Sequence, residues 1–441
     1  MFLTQKLQIH PTKEQERILC IISEKCRLVY NFALRERREI WKEQQANPKD
    51  DRKYISYKEQ SAQLRPLKQR FPEYKWVYSK VLQQCVKKLD EDFKSFFSKW
   101  KKGDKTAHPP KYKGKQYFTT LCYNQSGFKL SEKDVRFSHK HPSRIPLKFA
   151  FTHPVITKGK IKQVEVKRYQ NSEWFIYITR EVKPPDYNDN GLYYAIDLGV
   201  SNLMTGINLH LKSKQIKNRR VDFYWKKKIS EVQSKRDHCK KGSHRWLNYN
   251  TKLLKMKQKC AAQMKDYQHF IANKVVRNTK AKTIIVGDIS AKQMVMRNKY
   301  KRLQHNTTSN KTLNYSLQNT GSIGRFVEFL TYKAERIGKR LIRIDESHTS
   351  QTCCVCGKVH RMPLSRRMMN CDCGNRMDRD INSAVNIMSR FLRNKSNYVE
   401  KYDFLSQKPS MTEESFLKRL DLLRYTAPSL SLTGDGGLAV S

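Results

Sequence analysis

The chain has 441 residues, enough for two or three domains that each bury a core. Its 89 lysines and arginines against 40 acids leave a formal net charge of +49, far beyond what solubility needs, and point to a polyanionic partner, nucleic acid first. No apolar run spans a bilayer, the polar start MFLTQKLQIH is no signal peptide, and the eleven cysteines fit metal-bound or reduced thiols, so a secreted or membrane protein is excluded and a cytoplasmic one expected.

From Phe2 to Ile9 apolar and polar residues alternate, as in a strand with one buried face. Pro11 and the capping-box pair Thr12 and Gln15 then open a helix. Ile18, Ile22, Cys26, Val29 and Ala33 repeat at helical spacing on one face, with Arg17, Lys25, Arg27, Arg35, Arg37 and Arg38 on the other. A second helical tract runs from Ser56 to Lys102, with breaks near Pro66 and Phe71-Pro72, and ends in an apolar stripe from Trp76 to Trp100 flanked by lysines. Both tracts suit a helical bundle whose basic face holds a phosphate backbone. At Gly103 the composition changes. Residues 117–123, 135–138, 147–151, 163–168 and 173–180 are rich in Tyr, Phe, Val and Ile, are separated by turn residues, and read as strands. With the first strand they predict a β-barrel interrupted by the helical bundle. Lysines alternate with aromatic residues here, which suits both core packing and stacking on bases. Residues 183–191 form the clearest linker.

Past the linker, LYYAIDLGVSNLMTGI gives a strand, an acid, a glycine turn and a second strand. Two readings of Asp197 are open there, a turn cap or an oxygen ligand presented to a metal. Residues 215–278 read as mostly helical and heavily basic, with candidate backbone contacts from Lys226 to Lys265. The apolar strand TIIVGDIS ends at Asp288. Residues 296–321 read as a mobile loop near the site, residues 322–337 as an amphipathic helix, and residues 341–344 as the strand that delivers Asp345 and Glu346.

Cys353 and Cys356 form a CxxC before Gly357, and Cys371 and Cys373 a CxC before Gly374. Two glycine-closed turns carrying four soft ligands predict a zinc knuckle holding one structural ion, with Cys354 spare. Asp378 and Asp380 open the amphipathic helix that follows, and a compact knuckle would bring its two ends together. Four acids, Asp197, Asp288, Glu346 and Asp380, thus end strands or begin a helix in a chain short of acids. Like charges crowd at a cost unless a cation joins them, and two divalent ions held by such oxygens can activate a water and stabilise the leaving 3′ oxygen of a phosphodiester. Asp378 offers itself as helix cap, which leaves Asp380 for the metal; the other reading makes both caps or surface residues.

In order and spacing, LYYAIDLGVSNL, TIIVGDIS, IDESHTSQTCCVCG and CDCGNRMDRDINSAVNI resemble the RuvC-like nuclease segments and zinc-finger insert of TnpB, the transposon-encoded ancestor of type V CRISPR effectors. More loosely, Thr12 with Gln15, LDEDFKSFF and PPKYKGK resemble that family's amino-terminal half. The resemblance implies an α+β multidomain fold. A wedge β-barrel (1–10 and 103–182) carries an inserted helical recognition domain (11–102). After the linker (183–191) comes an RNase H-like (RuvC) α/β domain (192–348 and 378–397) with a zinc-finger insert (349–377), then a disordered carboxyl tail (398–441). The resemblance also implies an RNA-guided DNA endonuclease. Its partners would be a guide RNA and target double-stranded DNA marked by a short adjacent motif, and it would use two Mg²⁺ ions and one Zn²⁺, as a monomer in a prokaryotic cytoplasm at the nucleoid.

Residue by residue, Asp197 matches the first catalytic Asp and Asp380 the last. The second acid departs from the commonest pattern, which has Glu before Asp, because that position is Gly287 here, followed by Asp288. Some relatives with this variant carry a glutamate in the strand leading to the zinc finger, where Glu346 sits. The resemblance therefore implies Asp197, Glu346 and Asp380 as catalytic residues and magnesium ligands, with Asp288 as a helper. Cys353, Cys356, Cys371 and Cys373 are the expected zinc ligands, and Arg17, Arg27, Arg35, Lys226 and Lys227 the expected nucleic-acid contacts. A nuclease-inactive RNA-guided DNA-binding repressor is the alternative, though such a chain would be expected to lose the first or last Asp as well.

Overall fold

The alternating amino-terminal segment forms strand β1 (Phe2–Ile9), and the capping box starts helix α1 (Lys13–Gln44), with Gln15 N donating to Thr12 Oγ1 at 3.3 Å and Thr12 N to Gln15 Oε1 at 3.0 Å. The computed structural model describes the chain except for residues 49–50, 105, 125, 157, 170–171, 289–322, 364, 402–410, 426–429, 432–438 and 441. The mobile loop expected at 296–321 lies outside the described residues. The chain divides into two compact units, Met1–Lys183 and Pro184–Ser441.

In the first unit the second helical tract breaks as its prolines require. Helices α2 (Tyr57–Ala62) and α3 (Leu64–Arg70) meet at Gln63, Pro66 is tolerated in the first turn of α3, and Pro72 opens a 3₁₀ turn before α4 (Ser79–Lys101). Six strands follow, β2 (Leu121–Asn124), β3 (Phe128–Leu130), β4 (Asp134–Phe137), β5 (Leu147–Ala150), β6 (Lys160–Arg168) and β7 (Trp174–Glu181). The expected barrel is not closed. Among the described residues the strands divide into an antiparallel sheet of order β1-β7-β6-β2 and a separate sheet β3-β4-β5. Ile18, Ile22 and Cys26 of α1 and Leu82 and Val86 of α4 share one core with Val164, Val166, Ile176 and Ile178 of the first sheet and with Phe137 and Phe149 of the second. The inserted helices thus supply apolar surface that a barrel would have supplied from its own strands.

The second unit is built on a five-stranded sheet of order β10-β9-β8-β11-β12. Strands β8 (Tyr193–Leu198), β9 (Asn202–Asn208) and β10 (Ser213–Lys217) form an antiparallel meander, and β11 (Thr283–Gly287) runs parallel to both β8 and β12 (Arg340–Ile344). The edge strand β10 falls in a stretch expected to be mostly helical; its alternation is short and half exposed. Helices α5 (Val221–Asp237) and α6 (His244–Asn278) follow it, and α7 (Ile323–Glu335) precedes β12.

Because side chains alternate along a strand, the sheet has two distinct cores. Ile196, Leu198, Ile284 and Val286 pack with α6 and α7 through Ile271, Val275, Phe326 and Leu330. Tyr193, Ala195, Ile285, Ile342 and Ile344 pack on the other face with Ile381, Val385, Met388 and Phe391 of helix α8 (Arg379–Arg393). Asp197, Gly287 and Glu346 share the parity of that second set. The tail expected to be disordered is not so throughout. Helix α9 (Lys395–Lys401) continues from α8, and helix α10 (Met411–Tyr425) buries Phe416 and Leu420 in the α8-side core. No described helix is long and apolar enough to cross a membrane.

Candidate active site

Three chain-distant acids come from the carboxyl end of β8, the residues just past β12 and the first turn of α8. Asp197 ends β8, one residue before its close, and accepts a hydrogen bond from Ser383 Oγ of α8 at 2.8 Å. Its carboxyl is held well above the usual carboxylate range, by burial first and then by the Glu346 charge, with Asp380 adding; the Ser383 donor and Arg379 oppose this. Asp380 is buried in the first turn of α8. Asp378 caps that helix, accepting from Asp380 N at 2.8 Å and Ile381 N at 3.2 Å, so the Asp380 carboxylate is not spent on the cap. Asn202 Nδ2 donates to Asp380 Oδ2 at 2.9 Å, and Arg379 Nε lies 3.6 Å from Oδ1.

Glu346 follows β12 and is partly buried. Burial, then the charges of Asp288 and Asp345, push its carboxyl up to about 7, against the pull of Arg390. Its Oε2 is buried and has no hydrogen-bond partner among the described residues. A Cβ built at Gly287 would run into that same Oε2 and come within 2.9 Å of the Glu346 Cβ. One carboxylate thus fills the space that a side chain at 287 would need, and glycine there is a steric requirement. Asp288 is exposed, its N–H donates to Ile344 O at 2.7 Å, and its Oδ1 stands 4.0 Å from Arg343 Nη1. Glu346 and Asp380 are near enough to raise Asp197, but the three carboxyls are more open than the cysteine set. Among the described residues, only the four cysteines form a group of three or more whose metal-binding atoms all lie within 4.8 Å of one another.

Those cysteines are Cys353, Cys356, Cys371 and Cys373. Cys356 and Cys371 Sγ are 3.4 Å apart and Cys353 and Cys373 Sγ 3.7 Å, close to the edge of about 3.8 Å that zinc–sulfur bonds of about 2.3 Å give a tetrahedron. Each turn closes on a left-handed glycine, Gly357 at φ 80° and Gly374 at φ 88°, whose N–H donates to Cys353 O or Cys371 O at 3.0 Å. Asn375 Nδ2 donates to Cys353 Sγ at 3.2 Å, and His360 Nε2 lies 3.1 Å from Cys371 Sγ. Cys354 is buried, and its thiol lies 3.7 Å from Met377 Sδ, outside the ligand set.

The expected nucleic-acid contacts separate by exposure. Arg17, Arg35, Lys226 and Lys227 are exposed. Arg27 is not available. It is buried, its Nε and Nη2 donate to Glu24 at 2.7 and 2.6 Å, and its Nη1 donates to Lys113 O at 2.9 Å, because Glu24 lies one turn before it on the same helix. Arg37 and Arg38 are likewise engaged, with Asp90 and with Pro110 O. The polar groups Asn202, Thr349, Asn382, Ser383 and Asn386 around the acids carry no such signature in the sequence. The one signal is the run Asn382-Ser383 and Asn386 inside a helix otherwise apolar on its packed side.

Three family models match the chain in order, a helix-turn-helix domain over residues 1–46, a probable transposase over 175–298, and the Cas12f1-like TNB domain over 324–387. The first of these covers β1 and the single 32-residue helix α1. A putative RNA-guided DNA endonuclease of Streptomyces pristinaespiralis is 25% identical over 389 residues, which is 87% of this chain and 88% of that protein. The TnpB-like protein L79 of Acanthamoeba polyphaga mimivirus is 29% identical over 162 residues, 36% of this chain and 29% of that protein. Among solved structures, the Cas12f1 chain of a Cas12f1-sgRNA-target DNA complex matches with a TM-score of 0.56 at 13% identity, covering 88% of this chain and 98% of that one, a likeness of fold. The models taken in order, with a relative aligned along nearly the whole length, make the chain similar to RNA-guided DNA endonucleases and TnpB-like proteins.

Proposed function

We propose that this protein is an RNA-guided DNA endonuclease whose second unit hydrolyses a phosphodiester at Asp197, Glu346 and Asp380. The observation that carries the reading is Glu346 Oε2, buried without a donor beside two further carboxyls. Such a group is settled only by a proton or a cation, and a donor set made of carboxylate oxygens fits hard divalent ions, two magnesium ions here. An antiparallel meander flanked by two parallel strands supports the RNase H-like (RuvC) assignment. Held by Asp197, Glu346 and Asp380, two such ions would supply activation of a water and stabilisation of the leaving 3′ oxygen.

The chain's own residues prepare that place. Strand β8 and helix α8 carry Asp197 and Asp380 on rigid elements, Asn202 and Arg379 orient the Asp380 carboxylate, and Gly287 leaves the room that Glu346 fills. The four cysteines suit one structural zinc ion, which would fix the insert joining Glu346 to α8. The names of its relatives support a guide RNA and target double-stranded DNA as partners, with sequence read through pairing and a short adjacent motif read by the first unit. The wedge and helical recognition parts of that unit would hold nucleic acid through exposed basic residues such as Arg17 and Arg35, and the second unit through Lys226 and Lys227.

The test starts by purifying the full chain and sequencing the RNA that comes with it. A duplex matched to that RNA is then presented with Mg²⁺. Wild type is expected to cut, with chelation abolishing the cut, while Asp197→Ala, Asp380→Ala and Glu346→Ala each lose about a thousandfold in rate. Adding Gly287→Glu to a Glu346→Gly variant is expected to return part of the activity, because removing both Oε2 and the Cβ of residue 346 clears the space that a side chain at 287 needs. Wild type that binds the matched duplex and never cuts would leave the RNA-guided repressor standing instead. Cutting without RNA would overturn guidance.

A further inference from the structure

We infer that Ser383, through Thr349, is a positioning residue that holds Asp197 and the end of β12 in one geometry, and so sets the metal affinity of the site; the inference rests on the nuclease reading above. Ser383 is almost fully buried, one turn beyond Asp380 on α8. Its Oγ donates to Asp197 Oδ1 at 2.8 Å and lies 2.9 Å from Thr349 Oγ1, itself buried and 2.9 Å from Glu346 O. The chain of contacts therefore runs from the Asp197 carboxylate to the backbone of Glu346 through two hydroxyls. With the Ser383 proton committed to Asp197, the single Thr349 proton is shared between Ser383 Oγ and the Glu346 carbonyl. Neither hydroxyl can move without releasing a group at the other end.

The same face of α8 fixes the segment that Thr349 belongs to. Asn382 Nδ2 donates to Thr352 O at 2.7 Å, and Asn386 Nδ2 donates to Thr349 O at 2.8 Å and Thr352 O at 2.7 Å. Asn382 Oδ1 accepts from Cys354 N at 2.9 Å, inside the first cysteine turn. Arg390 donates to Asp345 O at 2.7 Å and Ser347 O at 2.8 Å. Residues 382, 386 and 390 stand at successive turns and grip the backbone from Asp345 to Cys354, while Ser383 is turned to the Asp197 carboxylate. An oxygen ligand loses affinity when its orienting donor is removed, typically by ten- to a hundredfold.

The test measures Mn²⁺ binding to the full chain by electron paramagnetic resonance, beside the Mg²⁺ dependence of cutting, zinc content and the melting temperature. For Ser383→Ala, Mn²⁺ affinity is expected to fall about tenfold and the Mg²⁺ concentration for half-maximal cutting to rise about as much, with the rate at saturating Mg²⁺, the zinc content and the melting temperature near wild type. Ser383→Thr keeps the hydroxyl and should restore the affinity. Thr349→Val should shift it in the same direction by less, and carries the test if Ser383→Ala does not fold. Wild-type Mn²⁺ affinity in Ser383→Ala, or a rate loss equal at every Mg²⁺ concentration with a lowered melting temperature, would overturn the positioning role. Asp197→Ala separates the two levels. If it too binds Mn²⁺ like wild type, the metal-site reading itself fails; if it loses the ion while Ser383→Ala does not, only this inference fails.

Discussion

His269 of α6 shows how strongly a single half-buried polar ring can be tuned in this unit. Its ring stacks on Phe329 of α7 with centroids 3.8 Å apart, and Nδ1 lies 3.2 Å from the Tyr332 hydroxyl. Burial first, then the charges of Lys333 and Lys265, pull its pKa down to about 4. A ring with an ordinary value near 6.5 in the unfolded chain must therefore give up its proton to fold at pH 5. The stability this neutrality contributes is fully present above pH 6.5 and is lost as pH falls through about 4, with a slope of at most about 1.4 kcal/mol per pH unit. His269→Phe keeps the stack and cannot titrate. Urea unfolding of wild type and variant between pH 7 and 4 should show the variant gaining on wild type as the medium is acidified; parallel curves would mean that the ring does not contribute to the pH dependence.

At the scale of elements, the tail helix α10 is held by a pair that no local pattern would join. Lys395 Nζ donates to both carboxylate oxygens of Glu413 at 2.9 Å, and both residues are buried. Removing one partner of a buried pair strands the other, so Glu413→Ala should cost about 3–5 kcal/mol, whereas Lys395→Met with Glu413→Leu should recover most of that loss. Denaturant unfolding of the three proteins decides it, and equal stability of single and double variants would refute the coupling. The docking of α10 also shows which elements are legible in the sequence and which are not. Capping residues and periodicity are enough for β1, α1, the strands of the five-stranded sheet except β10, and the cysteine turns, because each is specified within a few neighbours. The open sheets of the first unit, the seat of α10 and the edge strand β10 depend on what packs against them, and the chain's local chemistry does not record that. At the candidate site the acids are legible as strand-end charges in a basic chain. The hydroxyl and amide groups around them are not, because Ser383 and Asn382 look like ordinary helix residues until the partner backbone from Asp345 to Cys354 is known.

For the molecule as a whole, a net charge of +49 does not mean that every basic residue meets phosphate. Part of the basic set is internal structure. Arg27 pairs with Glu24 within α1 and ties that helix to the backbone at Lys113, Arg37 reaches Asp90 of α4, and Lys339 Nζ, buried, donates to Val276 O at 2.9 Å near the carboxyl end of α6. Lys226 and Lys227 belong to the other part. They are exposed on α5, where a polyanion can displace their counterions. The two kinds of cation predict different signatures. Removing one cation that neutralises a phosphate should lower the slope of log affinity against log salt by about 0.7 for single-stranded nucleic acid and about 0.9 for duplex. Lys226→Ala with Lys227→Ala should therefore flatten that slope by about 1.4 to 1.8 and leave the melting temperature unchanged. Arg27→Ala should keep the wild-type slope and lower the melting temperature, since it removes a buried side chain together with its hydrogen bonds to Glu24 and to the Lys113 carbonyl. Binding of the copurifying RNA, followed from 50 to 300 mM salt (roughly the range over which such ion pairs are screened), separates the two. A flattened slope for Arg27→Ala would show that its guanidinium reaches phosphate after all, and an unchanged slope for the lysine pair would remove α5 from the interface.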